Sequence, residues 1–520
     1  MNLGEVKQSH EGTTSLHTMA HASRFQVDAL ERDAFEVLRM VRSIKNSLAP
    51  INRLPLEVLS SIHDYCDEDE ADGVSIALTH VCHSWRESFI SCPSLWTWFD
   101  FKNIGKTHTY IRRSQSFPIK IHITFEEGFR EIFPLIIPHI PRLKSLTVNG
   151  FNFPGNIQEH FYRHMPLLEK LSISSYGGVD DEFSDGDLSS LRELYLYQAT
   201  DIPWKNLPHL QVLHFGSYLT HEITQLLDFL ESVPLLHTVS LYLAGSVSDS
   251  SNAPPERIVA LRHLKSITVY SLRLQATLLQ HLHIPLRVSL VSESNFEGDG
   301  SPLLDYFQER SSNFCILSDI TSTNVLLDPG GNQASVRLSG PSGNLSLKIH
   351  RVGSPSWHTA QSRTFRFLDP FLSTTRRLAI SGYARTFGEK TKQYSISQIL
   401  SSTSHLRTLI LIDSDDLDAF ARALNPKKDL SDPVFCRDMQ ELIIHTPHWT
   451  PLQLNALIEM AKNRASRGVG LSSITFVDRS GKGEWAKVYK LREHVAHVKY
   501  LVADEPPAWD DVCAEERKWD

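Results

Sequence analysis

The stretch Leu188-Ser189-Ser190-Leu191-Arg192-Glu193-Leu194-Tyr195-Leu196 carries leucine at its first, fourth, seventh and ninth positions. The same phrase, Φ-x-x-L-x-x-L-x-Φ with Φ apolar, recurs on both sides of it. It reads IPRLKSLTV from Ile140, MPLLEKLSI from Met165, LPHLQVLHF from Leu207, VPLLHTVSL from Val233 and LRHLKSITV from Leu261. Successive copies start 25, 23, 19, 26 and 28 residues apart, a spacing that marks stacked repeat units. Weaker copies return as LSTTRRLAI from Leu372, TSHLRTLIL from Thr403, CRDMQELII from Cys436 and SSITFVD from Ser472.

The last two apolar positions of each copy alternate with polar ones: Leu146/Val148, Leu171/Ile173, Leu194/Leu196, Leu213/Phe215, Val239/Leu241 and Ile267/Val269. Period-two alternation predicts a short strand with one buried face. One such strand cannot bury its face alone, whereas copies stacked side by side make a parallel sheet with a continuous core. Connecting segments such as Ile223 to Leu230 have helical apolar spacing and are expected to form the outer layer. A buried leucine-sized side chain contributes about 1.5–3 kcal/mol, so each copy contributes several before chain entropy is subtracted. The fold class that follows is α/β. A small all-α module is expected first, then an irregular leucine-rich-repeat-like solenoid with a parallel sheet over residues 100–500. Residues 286–371 break the rhythm. Gly-rich pieces there, Pro329-Gly330-Gly331 and Gly340-Pro341-Ser342-Gly343, separate short apolar runs and suggest hairpins or irregular repeats.

Upstream of the repeats, residues 1–23 are polar and read as a disordered lead, and residues 501–520 as a charged tail. Between residues 24 and 49, Val27, Leu30, Ala34, Val37, Val41, Ile44 and Leu48 fall at alternating spacings of three and four. That is one narrow apolar stripe on a helix, the spacing used by coiled-coil seams. With about three heptads and an alanine in the seam, the stripe is expected to pack within the chain, self-association being the alternative. Pro50 ends the helix.

Residues 50–99 hold three short phrases in order. Leu54-Pro55-Leu56-Glu57-Val58-Leu59 begins a helix on which Val58, Leu59 and Ile62 are expected to share a face, and Pro55 fits a first helical turn. Ile76 to Glu87 reads as a second helix with Leu78, Val81, Cys82 and Trp85 inward, and Pro93-Ser94-Leu95-Trp96 closes the segment. The acidic run Asp67-Glu68-Asp69-Glu70-Ala71-Asp72-Gly73 between them reads as a solvated loop, since it lacks the alternating ligands and closing glutamate of a calcium loop. A segment this small is marginal as an independent domain and gains from a covering partner.

This segment resembles an F-box, in particular the F-box-like module of the large fungal families. Those begin Leu-Pro-x-Glu-Val-Leu, continue through a Val-Cys-x-x-Trp-Arg-like helix and end Pro-x-Leu-Trp. Here the phrases stand at Leu54 to Leu59, Val81 to Arg86 and Pro93 to Trp96. The acidic run departs from the family pattern in length and charge. The resemblance implies docking of a Skp-type adaptor, which links the chain to a cullin-based ubiquitin ligase of SCF type, while the repeats hold an unknown protein substrate. By position it places Leu54, Pro55, Val58, Leu59 and Ile62 against the adaptor, with Val81, Trp85 and Trp96 beside them or in the module's own core. The alternative is a repeat-scaffold binding protein that recruits no ligase.

Residues that alternate with the buried strand positions point to the open face of the sheet. Tyr195, Tyr197, His214, Tyr242 and Tyr270 therefore fall on neighbouring strands of one surface. Tyrosines anchor interfaces because they bury large area at small entropic cost and keep a hydroxyl for orientation, although tyrosine is also favoured in any sheet.

Composition narrows the rest. Against 60 acidic residues stand 52 basic ones, for a net charge of −8. With no Lys/Arg cluster, neither nucleic acid nor a membrane surface is an expected partner. No secretory leader and no apolar run of spanning length is read in the chain. The 6 cysteines include no Cys-x-x-Cys pair and fit a reducing compartment, cytoplasmic, nuclear or both. The sequon at Asn344-Leu345-Ser346 then has no glycosylation machinery to meet. The 25 histidines include no metal-ligand spacing; His494 and His497, or His139, His160 and His164, read as incidental. Gly-x-Ser-x-Gly and phosphate-loop motifs are absent, and Gly481-Lys482-Gly483 lacks a third glycine. The chain is expected to be a non-catalytic receptor without metal or cofactor, an enzyme site hidden in residues 286–371 being the rival from another class.

Overall fold

In a computed structural model of the chain, the terminal apolar pair of each phrase lies on a parallel strand with one buried face. The structure describes residues 3–64, 71–100, 103–124, 134–149, 165–174, 188–197, 207–217, 223–243, 257–271, 275–285, 287–297, 319–327, 333–352, 368–381, 389–412, 417–426, 434–446, 450–478 and 488–502. Two units divide it, Met1–Asn149 and Gly150–Asp520. The architecture is mixed α/β, with an N-terminal helix and a large, mostly parallel sheet.

The first unit opens with helix α1, Leu3–Ser47. It starts well before residue 24, so the lead read as disordered is helical from Leu3. Nothing breaks it, because no proline occurs before Pro50. From Arg24 to Leu48 its side chains are almost all exposed, and among the described residues none covers the apolar stripe. A 3-10 turn, Pro50–Arg53, leads to α2, Leu56–Asp64, α3, Ala71–Thr79, and α4, His83–Ile90; a second turn, Pro93–Trp96, follows. After them come strand β1, Trp98–Asp100, helix α5, Ile104–Ser114, and strands β2, Ile119–Thr124, and β3, Leu143–Asn149. β1 pairs with β2 and β2 with β3, all parallel. Ile119, Ile121, Ile123, Leu143, Leu146 and Val148 fill their inner face. The phrase at Ile140 thus belongs to this unit.

The helix expected over Ile76 to Glu87 is two helices. Cys82 is fully extended (φ −158°, ψ 172°) and separates α3 from α4. The break is stabilised locally. Thr79 Oγ1 donates to the Ile76 carbonyl at 2.7 Å, and Arg86 Nε donates to the Thr79 carbonyl at 2.9 Å. Orphan carbonyls at the end of α3 so find partners. The acidic residues Asp67 to Glu70 lie outside the described residues, and α3 already begins at Ala71.

In the second unit the copies stack in register. Strands β4, Lys170–Ser174, β5, Glu193–Tyr197, β6, Val212–Ser217, β7, Thr238–Leu243, and β9, Ser266–Ser271, pair in sequence. Leu171, Leu194, Leu213, Val239 and Ile267 form one row across them, all with essentially no exposure. Short β8, Val259–Ala260, and β10, Leu282–His283, pair separately. The later copies are equally regular. β15, Arg377–Ser381, β16, Thr408–Ile412, β17, Glu441–Thr446, β18, Ser473–Asp478, and β19, His497–Val502, pair parallel in sequence. Between the two runs, the expected irregularity is an antiparallel insertion. β11, Val288–Glu297, pairs parallel with β9 and with β14, Gly343–Val352; β13, Gln333–Gly340, runs antiparallel between β14 and β12, Ser322–Leu327; and β12 returns to parallel pairing with β15. Gly340 ends β13 where a Cβ would fall on the Asp319 carbonyl.

A backbone device repeats with the phrase. Its fourth residue donates N–H to the carbonyl of its first: Leu168 to Met165, Leu191 to Leu188, Leu210 to Leu207, and likewise Leu406 to Thr403 and Met439 to Cys436, at 3.0–3.4 Å. The carbonyl just before each strand then accepts two N–H groups from the next copy. Gln211 and Val212 donate to the Arg192 carbonyl, His237 and Thr238 to that of Gln211, and Gln440 and Glu441 to that of Arg407. Helices α6, Ile223–Ser232, α7, Gln275–Gln280, α8, Glu389–Ser402, α9, Leu417–Leu424, and α10, Pro451–Ser466, lie in the connections. α10 has a full capping box between Thr450 and Gln453. It carries Arg464, with no exposed surface, whose Nη1 donates to the Phe435 carbonyl at 3.0 Å and Nη2 to the Cys436 carbonyl at 2.8 Å.

Candidate interaction surfaces

The N-terminal module has its own interior. Leu59, Trp85, Phe89, Leu95 and Trp96 are buried. Trp85 stacks edge-on against Phe89 at 5.2 Å, and Trp96 against Tyr110 at 4.9 Å, with the Arg113 guanidinium 4.2 Å over the Trp96 ring. Each ring nitrogen is satisfied: Trp96 Nε1 donates to the Phe89 carbonyl at 2.8 Å, and Trp85 Nε1 to Asn52 Oδ1. Asn52 in turn donates to the Asn46 carbonyl at 2.6 Å, tying the turn to the end of α1. Ser75, buried on α3, donates to the Leu95 carbonyl at 2.9 Å. Asn52 and Ser75 are polar clamps that apolar patterning did not single out.

That interior corrects part of the adaptor set. Leu59, Trp85 and Trp96 are 7, 8 and 1 % exposed and build the core. Leu54 and Val58, by contrast, are 39 and 43 % exposed, and Pro55 is exposed beside them. Val58 and Leu59 therefore do not share a face; adjacent helical residues point about 100° apart, with 3.6 residues per turn. The Ile62 side chain lies outside the described residues. Val81, placed either in the core or at the adaptor, is 57 % exposed. The module therefore shows leucine, proline and valine at one helix start while Leu59, Trp85, Phe89, Leu95 and Trp96 fill its interior.

On the second unit, the sheet register brings the expected tyrosines together in two tiers. In one, Ser172, Tyr195, His214, Ser240 and Thr268 are successive partners; in the other, Ser174, Tyr197, Gly216, Tyr242 and Tyr270. Tyr195 and His214 stack with centroids 4.5 Å apart and planes 10° apart. Lys170 Nζ lies 5.5 Å from the Tyr195 ring centroid and 3.8 Å from Glu193 Oε2. Burial, with Glu193 beside it, pushes the Tyr195 hydroxyl up to about 12, so it stays protonated and able to donate. Burial lowers His214, so its ring tends to the neutral form. Tyr242 and Tyr270 tilt together at 6.1 Å. Tyr197 and Tyr242 remain 39 and 42 % exposed with Gly216 between them in register. Gly216, missed in the sequence, leaves the space between these two rings free of a side chain.

The same face changes character further along. The register positions that carry Tyr195 and His214 in the first run carry Ala379, Ile410 and Ile443 in the second, and Ala379, Ile410 and Ile412 are buried together. The stacked tyrosines thus belong to the first run, while on β17 to β19 the same face carries His445, Thr475 and Lys499.

Among the described residues, no group of three or more His, Cys, Asp or Glu is placed to hold a metal ion, and no helix is long and apolar enough to cross a membrane. His139, His160 and His164 include two residues outside the described set. No protein-family model and no curated protein sequence matches the chain.

Proposed function

We propose that the chain is a substrate-recognition subunit of a cullin-based ubiquitin ligase. In this reading residues 50–99 are an F-box-like module that docks a Skp-type adaptor through Leu54, Pro55 and Val58. The parallel strands behind it are an irregular leucine-rich-repeat solenoid, and the Tyr195, Tyr197, His214, Tyr242 and Tyr270 face holds a protein substrate. The observation that carries the reading is the exposure of Leu54, Pro55 and Val58 on a module whose core is already complete without them. The tyrosine tiers support substrate binding, since rigid aromatic side chains gathered on one open surface make strong interface anchors.

The test is capture of a Skp-type adaptor by the full chain. Wild type binds. Leu54→Asp with Pro55→Ala binds at least about tenfold more weakly, because losing one leucine-sized anchor removes about 1.5–3 kcal/mol and 1.4 kcal/mol is tenfold. Both residues are exposed, so the variant keeps its fold. Equal capture by the two proteins, or capture by neither, overturns ligase recruitment. Replacing Tyr195, Tyr197, Tyr242 and Tyr270 by alanine leaves adaptor capture intact and abolishes substrate capture; an unchanged set of bound proteins refutes the assigned face.

A further inference from the structure

We propose that α1 pairs with α1 of a second copy of this chain as an antiparallel two-stranded coiled coil. Val27, Leu30, Val37, Val41, Ile44 and Leu48 are 57 to 68 % exposed, and Ala34 is exposed with them. Among the described residues nothing therefore covers a seam whose three-four spacing matches a heptad. Taking Val27 as position a, the a positions are Val27, Ala34, Val41 and Leu48, and the d positions are Leu30, Val37 and Ile44. Leu38 at e and Met40 at g widen the stripe at its middle.

Charge selects the partner and its direction. From Arg24 to Glu36 the helix carries Arg24 and Arg32 against Asp28, Glu31, Asp33 and Glu36, whereas from Val37 to Leu48 it carries only Arg39, Arg42 and Lys45. One half is acidic and the other basic. A parallel pair would set like beside like; an antiparallel pair sets the acidic half of each copy against the basic half of the other and also opposes the helix dipoles. In the antiparallel register that places Ala34 against Val37, Val27 meets Ile44 and Leu30 meets Val41. The small alanine then faces a larger residue and not its own copy. In that register the e positions pair Glu31 with Lys45 twice by symmetry, with Leu38 meeting Leu38 between them. Parallel pairing offers Gln26 to Glu31, Asp33 to Leu38 and Met40 to Lys45, none of them attractive. Within the chain Arg39 reaches Glu36 at 3.4 Å, while Glu31 and Lys45 make no ion pair among the described residues. Both are available to a second copy.

Light scattering or sedimentation of the full chain, over a concentration series because assembly follows mass action, reads the result directly. The expected mass is twice that of the 59.0 kDa chain, falling to one chain for Leu30→Asp with Val37→Asp. Both substitutions sit on the exposed stripe, so helicity is retained. Glu31→Lys alone and Lys45→Glu alone each weaken dimerisation, and together they restore it. In a parallel pair the two positions are 14 residues apart along the seam, about 21 Å at 1.5 Å per residue, and no rescue occurs. A chain monomeric at every concentration, including one that binds only a foreign helix, overturns the proposal. So does a dimer indifferent to the seam variant, and failure of the charge swap to restore binding overturns the antiparallel arrangement.

Discussion

Replacing Arg464 by methionine removes hydrogen bonds from two backbone carbonyls, those of Phe435 and Cys436. The guanidinium sits with no exposed surface against Phe435 and Cys436, at 3.0 and 2.8 Å, and a longer 3.5 Å approach to the Leu424 carbonyl adds little. Among the described residues it has no carboxylate partner, and burial lowers its affinity for the proton without removing its charge. The carbonyls it serves flank Cys436, whose φ of 48° is left-handed and strained for a side chain other than glycine. Each of the two charge-assisted hydrogen bonds is worth about 1.5–3 kcal/mol, and the Cys436 carbonyl keeps the Met439 amide. Taking one charge out of the interior returns part of that loss, since burying an ion carries a desolvation penalty of several kcal/mol. The net destabilisation is about 2–3 kcal/mol. Because a chain in two units need not unfold in one step, hydrogen exchange is the suitable assay. The Met439 amide, bonded to the Cys436 carbonyl at 3.1 Å, and the β17 amides should exchange about 30- to 150-fold faster. Arg464→Lys should lose most of the same protection, because a point charge cannot fork to two carbonyls. Unchanged or slower exchange in Arg464→Met would refute the reasoning and make the buried charge a net burden.

Other outcomes are expected. Cys436, whose thiol burial raises to about 11, should resist alkylation in the native protein at about pH 8, where only about one molecule in a thousand is thiolate; mass spectrometry should find half-buried Cys82 and Cys92 labelled first, and equal labelling would contradict the burial. Gly340→Ala forces a methyl onto the Asp319 carbonyl and should destabilise the β12–β13–β14 insertion by about 1–3 kcal/mol, read as faster proteolysis there and not in β16–β18. Arg86→Ala removes the cap on the Thr79 carbonyl and should speed exchange at the end of α3 by about fivefold, a loss of about 1 kcal/mol; no change would mean that water serves the carbonyl equally well.

The strand positions were legible because leucine spacing reports directly on burial. Every inward pair named from Leu146/Val148 to Ile267/Val269 is buried, and the tyrosines share one face as alternation requires. Weaker copies looked weak because polar atoms replace leucine in them. Thr403 and Cys436, first residues of adjacent phrases, meet at 3.3 Å, and Thr375 meets Thr323 at 2.8 Å. Such pairs satisfy each other inside the core, which apolar counting cannot see. Tertiary hydrogen bonds were likewise hidden: the helix break at Cys82 depends on Arg86, and Trp85 depends on Asn52, 33 positions away. The burial of Leu59, Trp85 and Trp96 was not legible, because residue type does not distinguish a surplus apolar side chain from a core one; the exposure of Leu54 and Val58 does.

The carbonyl just before one strand, which receives two amides of the next copy, makes each copy a transferable part. The join is set first by backbone atoms, and side-chain pairs such as Thr403 with Cys436 only add to it. Connecting segments can therefore lengthen or shorten, as the 19- to 28-residue starts show, without disturbing the rungs on either side. A gene that duplicates or drops one copy still encodes a chain whose remaining rungs join, so the reach of the binding face is free to grow or shrink by whole steps.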